Sequence, residues 1–413
     1  MVQVILAGQL IDGTGVALQR DRALYVEDGK ILSIGPAGDT PTDADVLDLS
    51  GFSVLPGLID CHVHLVFSHS ADALRDVLAE EDQQLLLRGV ANARQALGTG
   101  VTTVRDLGGR GGVTFRLRDS IENKLIAGPR ILAAGSPITI TGGHCNFLGL
   151  EADGEMSVRV AARRQLKAGA NCIKIMATGG RMTPGTNVGM AQYTVAEIRA
   201  AVDEARRGQV TLAAHAIGTE GIRNATAAGV TTIEHCSWLG RGPVAEFDES
   251  VAAQMAEQGT AAVPTLSPVK QAIAASSGNL SAGLREHITV RAEVLRCLRR
   301  MTELGVSILA GTDAGVAWTP FDSLPAEMES LVSEVGLTPM QAIRAATGEA
   351  ARVLGIDGSI GALTAGKVAD LVAVEGDPSV RIGDIRFVRT VVKQGQVVAQ
   401  NGVVLDPARA PTR

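Results

Sequence analysis

A helix–glycine–strand pattern recurs along the chain and limits the folds open to it. The pattern occurs in four segments, which are residues 95–106 (QALGTGVTTVRD), 165–177 (QLKAGANCIKIMA), 225–235 (ATAAGVTTIEH) and 302–313 (TELGVSILAGTD). In each one a helical pattern ends at a glycine, a common helix terminator, and a short β-branched strand follows. Strands of this apolar kind are typical of a parallel sheet with helices on both faces.

Eight such strands are predicted between residues 57 and 320, with helical segments between them. They lie near residues 57–62, 101–106, 130–135, 172–177, 209–215, 230–236, 260–266 and 306–313. This alternation predicts an α/β fold, a (β/α)8 TIM barrel over residues 57–359, with an open doubly wound sheet as the alternative. Residues 1–56 and 360–413 are rich in β patterns and glycine turns. They predict one small composite β-sandwich domain built from both chain ends.

Composition narrows the partners that the protein can have. The chain of 413 residues has a net charge of −6 and only 3% aromatic residues, so neither charge nor base stacking favours nucleic acid. We read no signal peptide at the start, and no apolar run reaches the ~18 residues that a membrane helix needs. Five cysteines without a framework spacing fit a reducing compartment. We therefore expect a cytoplasmic protein with a small-molecule substrate.

Histidines cluster at the predicted strand ends. Five of the seven stand there: His62, His64, His144, His215 and His235. The carboxyl ends of barrel strands line one face, where active sites are built. Residues i and i+2 of a strand point to the same side. His62 and His64 therefore project together, as do positions 211, 213 and 215 and positions 231, 233 and 235. Imidazole is a common ligand of zinc-like metals, so the set predicts a metal site.

Two further polar residues end predicted strands among apolar neighbours. Lys174 lies between Ile173 and Ile175, so its side chain should point away from the helices and into the barrel. A buried ammonium group must find a partner or lose its proton. Lys174 is therefore either salt-bridged to a carboxylate or a neutral amine that has reacted with CO2. Asp313 ends the last predicted strand, as a metal ligand and proton carrier or as a simple hydrogen-bond acceptor.

The remaining candidate site residues are weaker, because only their position in a loop or at a strand end points to a role. Arg181 and Tyr193 lie in the loop 179–193 after the fourth strand, and such loops often contact substrate. A solvated loop with local hydrogen bonds is the alternative. Asp60 has the parity of His62, so it is a candidate to orient the ligands. Arg105 and Asp106 end the second strand and are expected to form a structural ion pair with each other.

Together these residues resemble the pattern of the amidohydrolase superfamily of metal-dependent hydrolases. The likeness runs from IDGTG (11–15) through VLPGLIDCHVH (54–64) to GSIGALTAGKVADLVAVEGDP (358–378). The resemblance implies two divalent metal ions, zinc with cobalt or manganese as alternatives. It assigns His62, His64 and Asp313 to the first metal and His215 and His235 to the second. A CO2-derived carbamate on Lys174 would bridge the two.

Three segments narrow the resemblance to one branch. TGGHCNF (141–147), KIMATGG (174–180) and HAIGTEGIRNATAAGVTTIEH (215–235) resemble the dipeptidase branch related to prolidases and imidazolonepropionase-like proteins. That branch implies hydrolysis of the amide bond of a dipeptide or of an N-acyl or N-aroyl amino acid. His144 would polarise the scissile carbonyl or hold a substrate carboxylate. Many relatives carry an aromatic residue or histidine at the position of Ile217, which here removes one polar contact to the substrate.

The mechanism implied by the resemblance is attack by a metal-bridging hydroxide, with Asp313 passing its proton to the leaving nitrogen. A homo-oligomer is implied as well. Alternatives on the same fold are a carbamate, urea or other non-peptide amide hydrolase, a mononuclear deaminase, and a non-catalytic assembly protein. The deaminases lack the bridging lysine and use a glutamate near the strand-5 histidine, whereas this chain has Glu220 at a different spacing.

Overall fold

The computed structural model describes residues 2–41, 43–242, 244–276 and 282–406. Its strands are β1 (Gln3–Leu10), β2 (Gln19–Glu27), β3 (Lys30–Pro36), β4 (Asp45–Pro56), β5 (Leu58–Val63), β6 (Val101–Asp106), β7 (Arg130–Ala133), β8 (Cys172–Met176), β9 (Thr211–Gly218), β10 (Thr232–Leu239), β11 (Ala261–Val263), β12 (Leu371–Val374), β13 (Val388–Lys393), β14 (Gln396–Gln400) and β15 (Val403–Val404). Its α-helices are α1 (Ala73–Ala79), α2 (Asp82–Gly98), α3 (Val113–Glu122), α4 (Gly154–Lys167), α5 (Val195–Arg207), α6 (Thr219–Ala228), α7 (Glu249–Gln258), α8 (Ser267–Ala275), α9 (Ala282–Glu303), α10 (Leu324–Ser330), α11 (Pro339–Ala345) and α12 (Gly348–Val353).

The two chain ends share one β-sheet. Its eight strands run in the order β15-β14-β13-β12-β4-β1-β2-β3. Strand β4 joins the two ends, because it pairs in parallel with β1 and antiparallel with β12. The buried side of the sheet includes Ile5, Leu24, Leu371 and Val392, which pack in one apolar cluster. The strand pairing thus connects both ends in a single sheet, whereas the sequence predicted a sandwich.

The central strands form two parallel sheets. One has the order β5-β6-β7 and the other β11-β10-β9-β8. At one side the amide of Asn171, just before β8, donates to the Ala133 carbonyl of β7 at 2.8 Å. At the other side the amide of Cys61 on β5 donates at 3.0 Å to the Ala310 carbonyl of segment 306–313, which belongs to neither sheet. Segment 306–313, which the sequence predicted as a strand, lacks a strand assignment because it pairs with its neighbours only at isolated bridges. The other seven predicted strands are present, with ends shifted by a few residues.

Helices cover the parallel strands, and their starts follow the local sequence. Thr194 caps α5 and forms a reciprocal capping box with Glu197, as the TVAE pattern predicts. Thr338 and Gln341 do the same for α11, with Pro339 in its first turn. These caps set where each helix begins relative to the strand before it. Among the described helices we find none whose length and apolar character would allow it to cross a bilayer.

Candidate metal centre

A cavity of about 480 Å³ opens at the carboxyl ends of the parallel strands. All six ligands predicted from the sequence line it: His62, His64, Lys174, His215, His235 and Asp313. They come from β5, β8, β9, β10 and the segment after residue 310, which lie far apart along the chain. We call these six residues the cavity floor. Their convergence follows from strand direction, because parallel strands end on the same side of their sheet.

Two histidines and one carboxylate on the floor are in direct reach of one another. His62 Nε2 lies 3.4 Å and His64 Nε2 lies 3.3 Å from Asp313 Oδ1. His62, His235 and Asp313 each present one ligand atom within 4.8 Å of the other two. The ring centroids of His215 and His235 are 4.6 Å apart. This spacing brings nitrogen and oxygen donors around a common point, as a divalent metal requires.

Every imidazole on the floor has its outer nitrogen engaged by the protein. His62 Nδ1 donates to Glu234 Oε2 at 2.8 Å. The other three contacts are His64 Nδ1 to the Gly108 carbonyl at 3.1 Å, His215 Nε2 to the Gly179 carbonyl at 3.1 Å, and His235 Nδ1 to Thr265 Oγ1 at 2.8 Å. The second ring nitrogen of each histidine is therefore available to bind a metal in the cavity. Such outer contacts are those that orient metal-binding histidines.

Lys174 is buried on the floor without a partner among the described residues. Its side chain is 2% exposed, and Nζ makes no hydrogen bond to any described residue. Burial lowers the pKa of Lys174 to about 8, despite the nearby carboxylates of Glu234 and Asp313. Its strand neighbours Ile173 and Ile175 pack into the apolar core on the other side, as the strand period predicts. The salt bridge considered for Lys174 from sequence is not present among the described contacts.

The pKa values of three floor histidines favour neutral imidazoles. Burial lowers the pKa of His62 to about 4 and that of His235 to about 3, and it lowers the pKa of His215 well below its usual value. Burial acts to raise the pKa of Asp313, but His62, His64 and His235 around it hold that pKa below its usual range. Neutral imidazole and ionised carboxylate are the states in which these groups bind metal.

Glu234 is a site residue that the sequence reasoning missed. Its fully buried carboxylate accepts from His62 Nδ1 and from Arg105 Nη2, the latter at 2.9 Å. The prediction that positions 231, 233 and 235 point to the same side is wrong. Thr232 and Glu234 both point to Arg105, whereas Ile233 packs in the core. His235 joins the cavity because its φ of +67° breaks the alternation. The glutamate beside His235 in TTIEH was the signal available in the sequence.

The expected ion pair between Arg105 and Asp106 is also wrong. Consecutive strand residues point to opposite sides, so the two side chains cannot meet. Arg105 bonds to Glu234 and to the Cys61 carbonyl, the latter at 2.7 Å. Asp106 instead accepts from the backbone of Leu65 at 2.8 Å, next to His64. Each residue thus holds a different part of the cavity floor.

Asp60 supports the floor through the backbone. It accepts from the amide of His62 at 3.1 Å, and from the amide and hydroxyl of Thr312 at 3.0 and 2.6 Å. Burial raises the pKa of Asp60 to about 7. The carboxyl group therefore ties the first histidine strand to the residue before Asp313. It contacts the histidine through the main chain rather than through the imidazole.

The remaining predicted site residues separate into two groups. His144, Arg181 and Ile217 line the cavity. Burial lowers the pKa of His144 to about 4, and its Nδ1 lies 3.2 Å from Thr183 Oγ1. A Cβ at Gly180 would lie 2.3 Å from His144 Nε2, so only glycine fits there. Tyr193 is not among the residues that line the cavity, and its hydroxyl donates to the Ala152 carbonyl at 2.7 Å.

The outer part of the cavity is apolar. We call it the outer wall, and it consists of Val269 and Ala272 on α8, Val290, Val294 and Leu295 on α9, and Trp318. Ile217 and Leu239 pack with Val290 in one apolar cluster. The cationic residue Arg291 also lies here, but it makes two bonds to Glu334, at 3.1 and 2.8 Å. The cavity therefore has a polar floor and an apolar wall.

Residues 53–399 match the model of the Amidohydrolase family. The chain belongs to the amidohydrolase family. Among the relatives of this amidohydrolase, ochratoxinase from Aspergillus niger is 31% identical over 91% of this chain and 82% of its own. Imidazolonepropionase from Symbiobacterium thermophilum is 25% identical over 97% of this chain and 98% of its own.

Solved structures agree with this assignment. A Xaa-Pro dipeptidase with bound methionine in its active site is 32% identical, has a TM-score of 0.85, and covers 96% of this chain and 99% of its own. The structure of A. niger ochratoxinase, 29% identical, has a TM-score of 0.86 and covers 100% of this chain and 98% of its own. The protein is thus an amidohydrolase, an enzyme that hydrolyses amide bonds, with a TIM-barrel-like α/β fold, and it fits the dipeptidase-like branch.

Proposed function

We propose that this amidohydrolase cleaves the amide C–N bond of a dipeptide or of an N-acyl or N-aroyl amino acid, at a centre for two divalent metal ions. The observation that carries the proposal is the donor set of the floor. Four imidazoles with engaged outer nitrogens, one carboxylate and the unpartnered amine of Lys174 all line one cavity. Relatives named for prolidase-type and ochratoxinase activity support the choice of substrate class.

The donor set fits two metal ions better than one. His62, His64 and Asp313 would hold the first ion, and His215 and His235 the second. Zinc suits these donors best, with cobalt or manganese as alternatives. When bound, the pair would supply Lewis acidity to the substrate carbonyl and lower the pKa of a water molecule.

A carbamate on Lys174 would supply a carboxylate ligand to the two metal ions. Addition of CO2 to the neutral amine forms one N–C bond and releases one proton, which leaves a carboxylate on the side chain. The lowered pKa of Lys174 keeps a share of the amine neutral near pH 8. A carbamate would also give the buried nitrogen the polar surroundings that it lacks among the described residues.

The chain's own residues then divide the remaining work. Asp313, held ionised by its histidine neighbours, can accept a proton on its carboxylate and deliver it to the leaving nitrogen. Neutral His144 can donate a hydrogen bond to the scissile carbonyl. Arg181, an exposed residue that lines the cavity, would pair with a substrate carboxylate. The apolar Ile217, which also lines the cavity, would exclude water from the substrate.

We also propose that the two parallel sheets close into a barrel over residues 57–359, beside a β domain formed by residues 1–56 and 360–413. Hydrogen bonds from Ala262 to Ser307 and from Cys61 to Ala310 support closure through the segment 306–313. Closure would hold the floor rigid, because each ligand then follows a strand that is paired on both sides.

The test is metal analysis of protein produced with bicarbonate and divalent metal, followed by a substrate screen. We expect about two ions per chain, and release of amino acid from dipeptides or N-acyl amino acids; fewer than one ion per chain would contradict the centre. Aryl carbamates and ureas belong in the same screen. Release of ammonia without a carboxylate product would instead support a deaminase. The structure gives that alternative little support, because Glu220, the glutamate that follows the strand-5 histidine, is exposed on α6.

A further inference from the structure

The two tryptophans of the chain have opposite surroundings. Trp238 is fully buried, its ring packs on Phe247 at 5.0 Å, and its Nε1 donates to Met301 Sδ at 3.2 Å. Trp318 is 44% exposed and lines the cavity. The burial and contacts of Trp238 account for its place in the core. The exposed indole of Trp318 needs a different explanation.

The backbone holds Trp318 in an unfavourable conformation. Its φ is +64°, in the left-handed region that residues with a Cβ rarely adopt. The amide of Trp318 donates to the His69 carbonyl at 3.0 Å, and Gly315 donates to Thr319 at 2.8 Å. These bonds fix the turn that follows Asp313 by a few residues. Trp238 also has a positive φ, of +58°, so it is the exposure of Trp318 in the cavity, and not its backbone alone, that distinguishes the two residues.

Apolar side chains line the same cavity as the indole. Val269 and Ala272 from α8 and Val290 and Val294 from α9 line it, and Ile217 and Leu239 extend the apolar surface toward the floor. The volume of about 480 Å³ is in the range of sites for drug-sized ligands. A dipeptide of small residues would leave much of this apolar surface in contact with water, whereas a planar apolar group would cover it.

We propose that Trp318 is a specificity-determining residue that packs against a planar aromatic or bulky apolar group of the substrate. The proposal rests on the proposed amide hydrolysis and narrows its substrate class. The floor holds the scissile amide, and the outer wall with Trp318 holds the large substituent beyond it. Amides that carry such a group, on the acyl or on the amine side, are therefore the preferred substrates over N-acetylated small amino acids.

The kinetic test compares Trp318→Ala and Trp318→Phe with the wild-type enzyme. The substrates are N-(2-naphthoyl)-L-alanine, N-acetyl-L-naphthylalanine and N-acetyl-L-alanine. For at least one naphthyl substrate, Trp318→Ala is expected to lower kcat/KM about 10- to 100-fold, and Trp318→Phe should restore most of it. For N-acetyl-L-alanine the change should stay within about twofold. Equal losses on all three substrates, or no loss on either naphthyl substrate, would overturn the proposal.

A binding measurement separates this proposal from the reaction itself. Protein labelled with 5-fluorotryptophan should give two fluorine resonances, because the chain has two tryptophans, and Trp318→Phe assigns the exposed one. Titration with 2-naphthoate should move the Trp318 resonance in a saturable way, while acetate should not. No movement at high naphthoate concentration contradicts the contact. If no amide is cleaved, the proposed reaction fails, but this titration still decides the role of Trp318.

A matched control guards against general effects of removing an exposed aromatic ring. Phe387 is 51% exposed beside β13 of the chain-end sheet and does not line the cavity. Phe387→Ala should leave kcat/KM for all three substrates within about twofold of the wild-type values. It should also leave the response of the Trp318 resonance to naphthoate unchanged. Metal content of each variant shows whether the floor has stayed intact.

Discussion

The floor and the outer wall of the cavity differ in how the chain builds them. The floor consists of polar residues at the ends of parallel strands, held by Glu234, backbone carbonyls and Thr265. The outer wall consists of apolar residues on α8 and α9 and of one tryptophan in a turn. The proposed chemistry and the proposed selectivity therefore lie on separate elements of the fold. Substitutions on the floor should abolish hydrolysis, whereas substitutions in the outer wall should change which substrates are preferred.

The largest effect is expected from Lys174→Ala. The loss of the proposed bridge should remove metal and lower kcat/KM by more than about 100-fold, the upper end of what outer-contact mutations cost. Metal content and steady-state rates measure this. Lys393→Met is the matched control: burial lowers the pKa of Lys393 to about 8 too, but its Nζ donates to the Gly128 carbonyl at 2.7 Å. Equal metal loss in both variants would refute the role of Lys174.

Glu234→Gln should have the next largest effect. Loss of the charged partner of His62 is expected to lower metal affinity or kcat/KM about 10- to 100-fold. The substitution also leaves the buried Arg105 without its carboxylate partner, which should lower the free energy of unfolding by about 3–5 kcal/mol. Glu204→Gln serves as the control, because Glu204 is a buried glutamate bonded to Arg159 and Arg163 on the outer helices. It should destabilise the fold without changing metal affinity; a change there would mean that stability alone explains the Glu234 result.

Glu327 on α10 holds the start of α8, which is part of the outer wall. The Glu327→Gln variant therefore tests how much the outer wall depends on this contact. Its buried carboxyl accepts from the amides of Leu266 and Ser267 at 2.9 and 2.7 Å, where α8 begins. Burial raises the pKa of Glu327 from its usual 4.5 to about 7. The native state therefore binds more protons than the unfolded state between pH 4.5 and 7, and the free energy of unfolding falls as the pH rises through this window.

The Glu327→Gln substitution should remove this fall in the free energy of unfolding between pH 4.5 and 7. A shift of this size corresponds to about 3 kcal/mol between the two ends of the window. Denaturant unfolding at several pH values measures the difference between Glu327→Gln and wild type, which contains the contribution of Glu327 together with its charge coupling to Asp60. We also expect KM for bulky substrates to rise while metal content stays unchanged. An identical pH slope in both proteins would contradict the assignment.

Tyr193→Phe should give the smallest effect. It removes the hydrogen bond to the Ala152 carbonyl, which should cost about 0.5–1.5 kcal/mol of unfolding free energy. Because Tyr193 does not line the cavity, kcat/KM should stay within about twofold of wild type. Thermal unfolding and steady-state rates check the two parts. A large fall in kcat/KM at unchanged stability would instead restore the substrate contact predicted from sequence.

Much of the floor could be predicted from the sequence because strand ends have a local signature. His62, His64, Lys174 and Asp313 each stand among apolar or β-branched neighbours, and parallel strands bring such ends to one side of the sheet. The seven strands that formed as predicted share the same signature. The eighth, segment 306–313, pairs with a neighbouring strand only at an isolated bridge between Ala262 and Ile308.

The partners of the floor could not be predicted in the same way. Glu234 reaches His62 across a sequence separation that no local pattern encodes, and the positive φ of His235 overturned the parity that we expected. Arg105 was paired with Asp106 by adjacency in sequence, although strand geometry sends the two side chains apart. Tyr193 was assigned to the substrate by its loop, but packing turned its hydroxyl to Ala152.

Local sequence patterns are enough to establish the chemical character of this amidohydrolase: which strand ends carry imidazole, amine and carboxylate groups, and that helices separate the strands. They can do so because side-chain period and helix caps act over a few residues. Only the tertiary structure decided what orients each histidine, that Lys174 is without a partner among the described residues, and that Trp318 stands at the apolar wall. These features depend on contacts between distant segments, which form only when the strands and helices pack together.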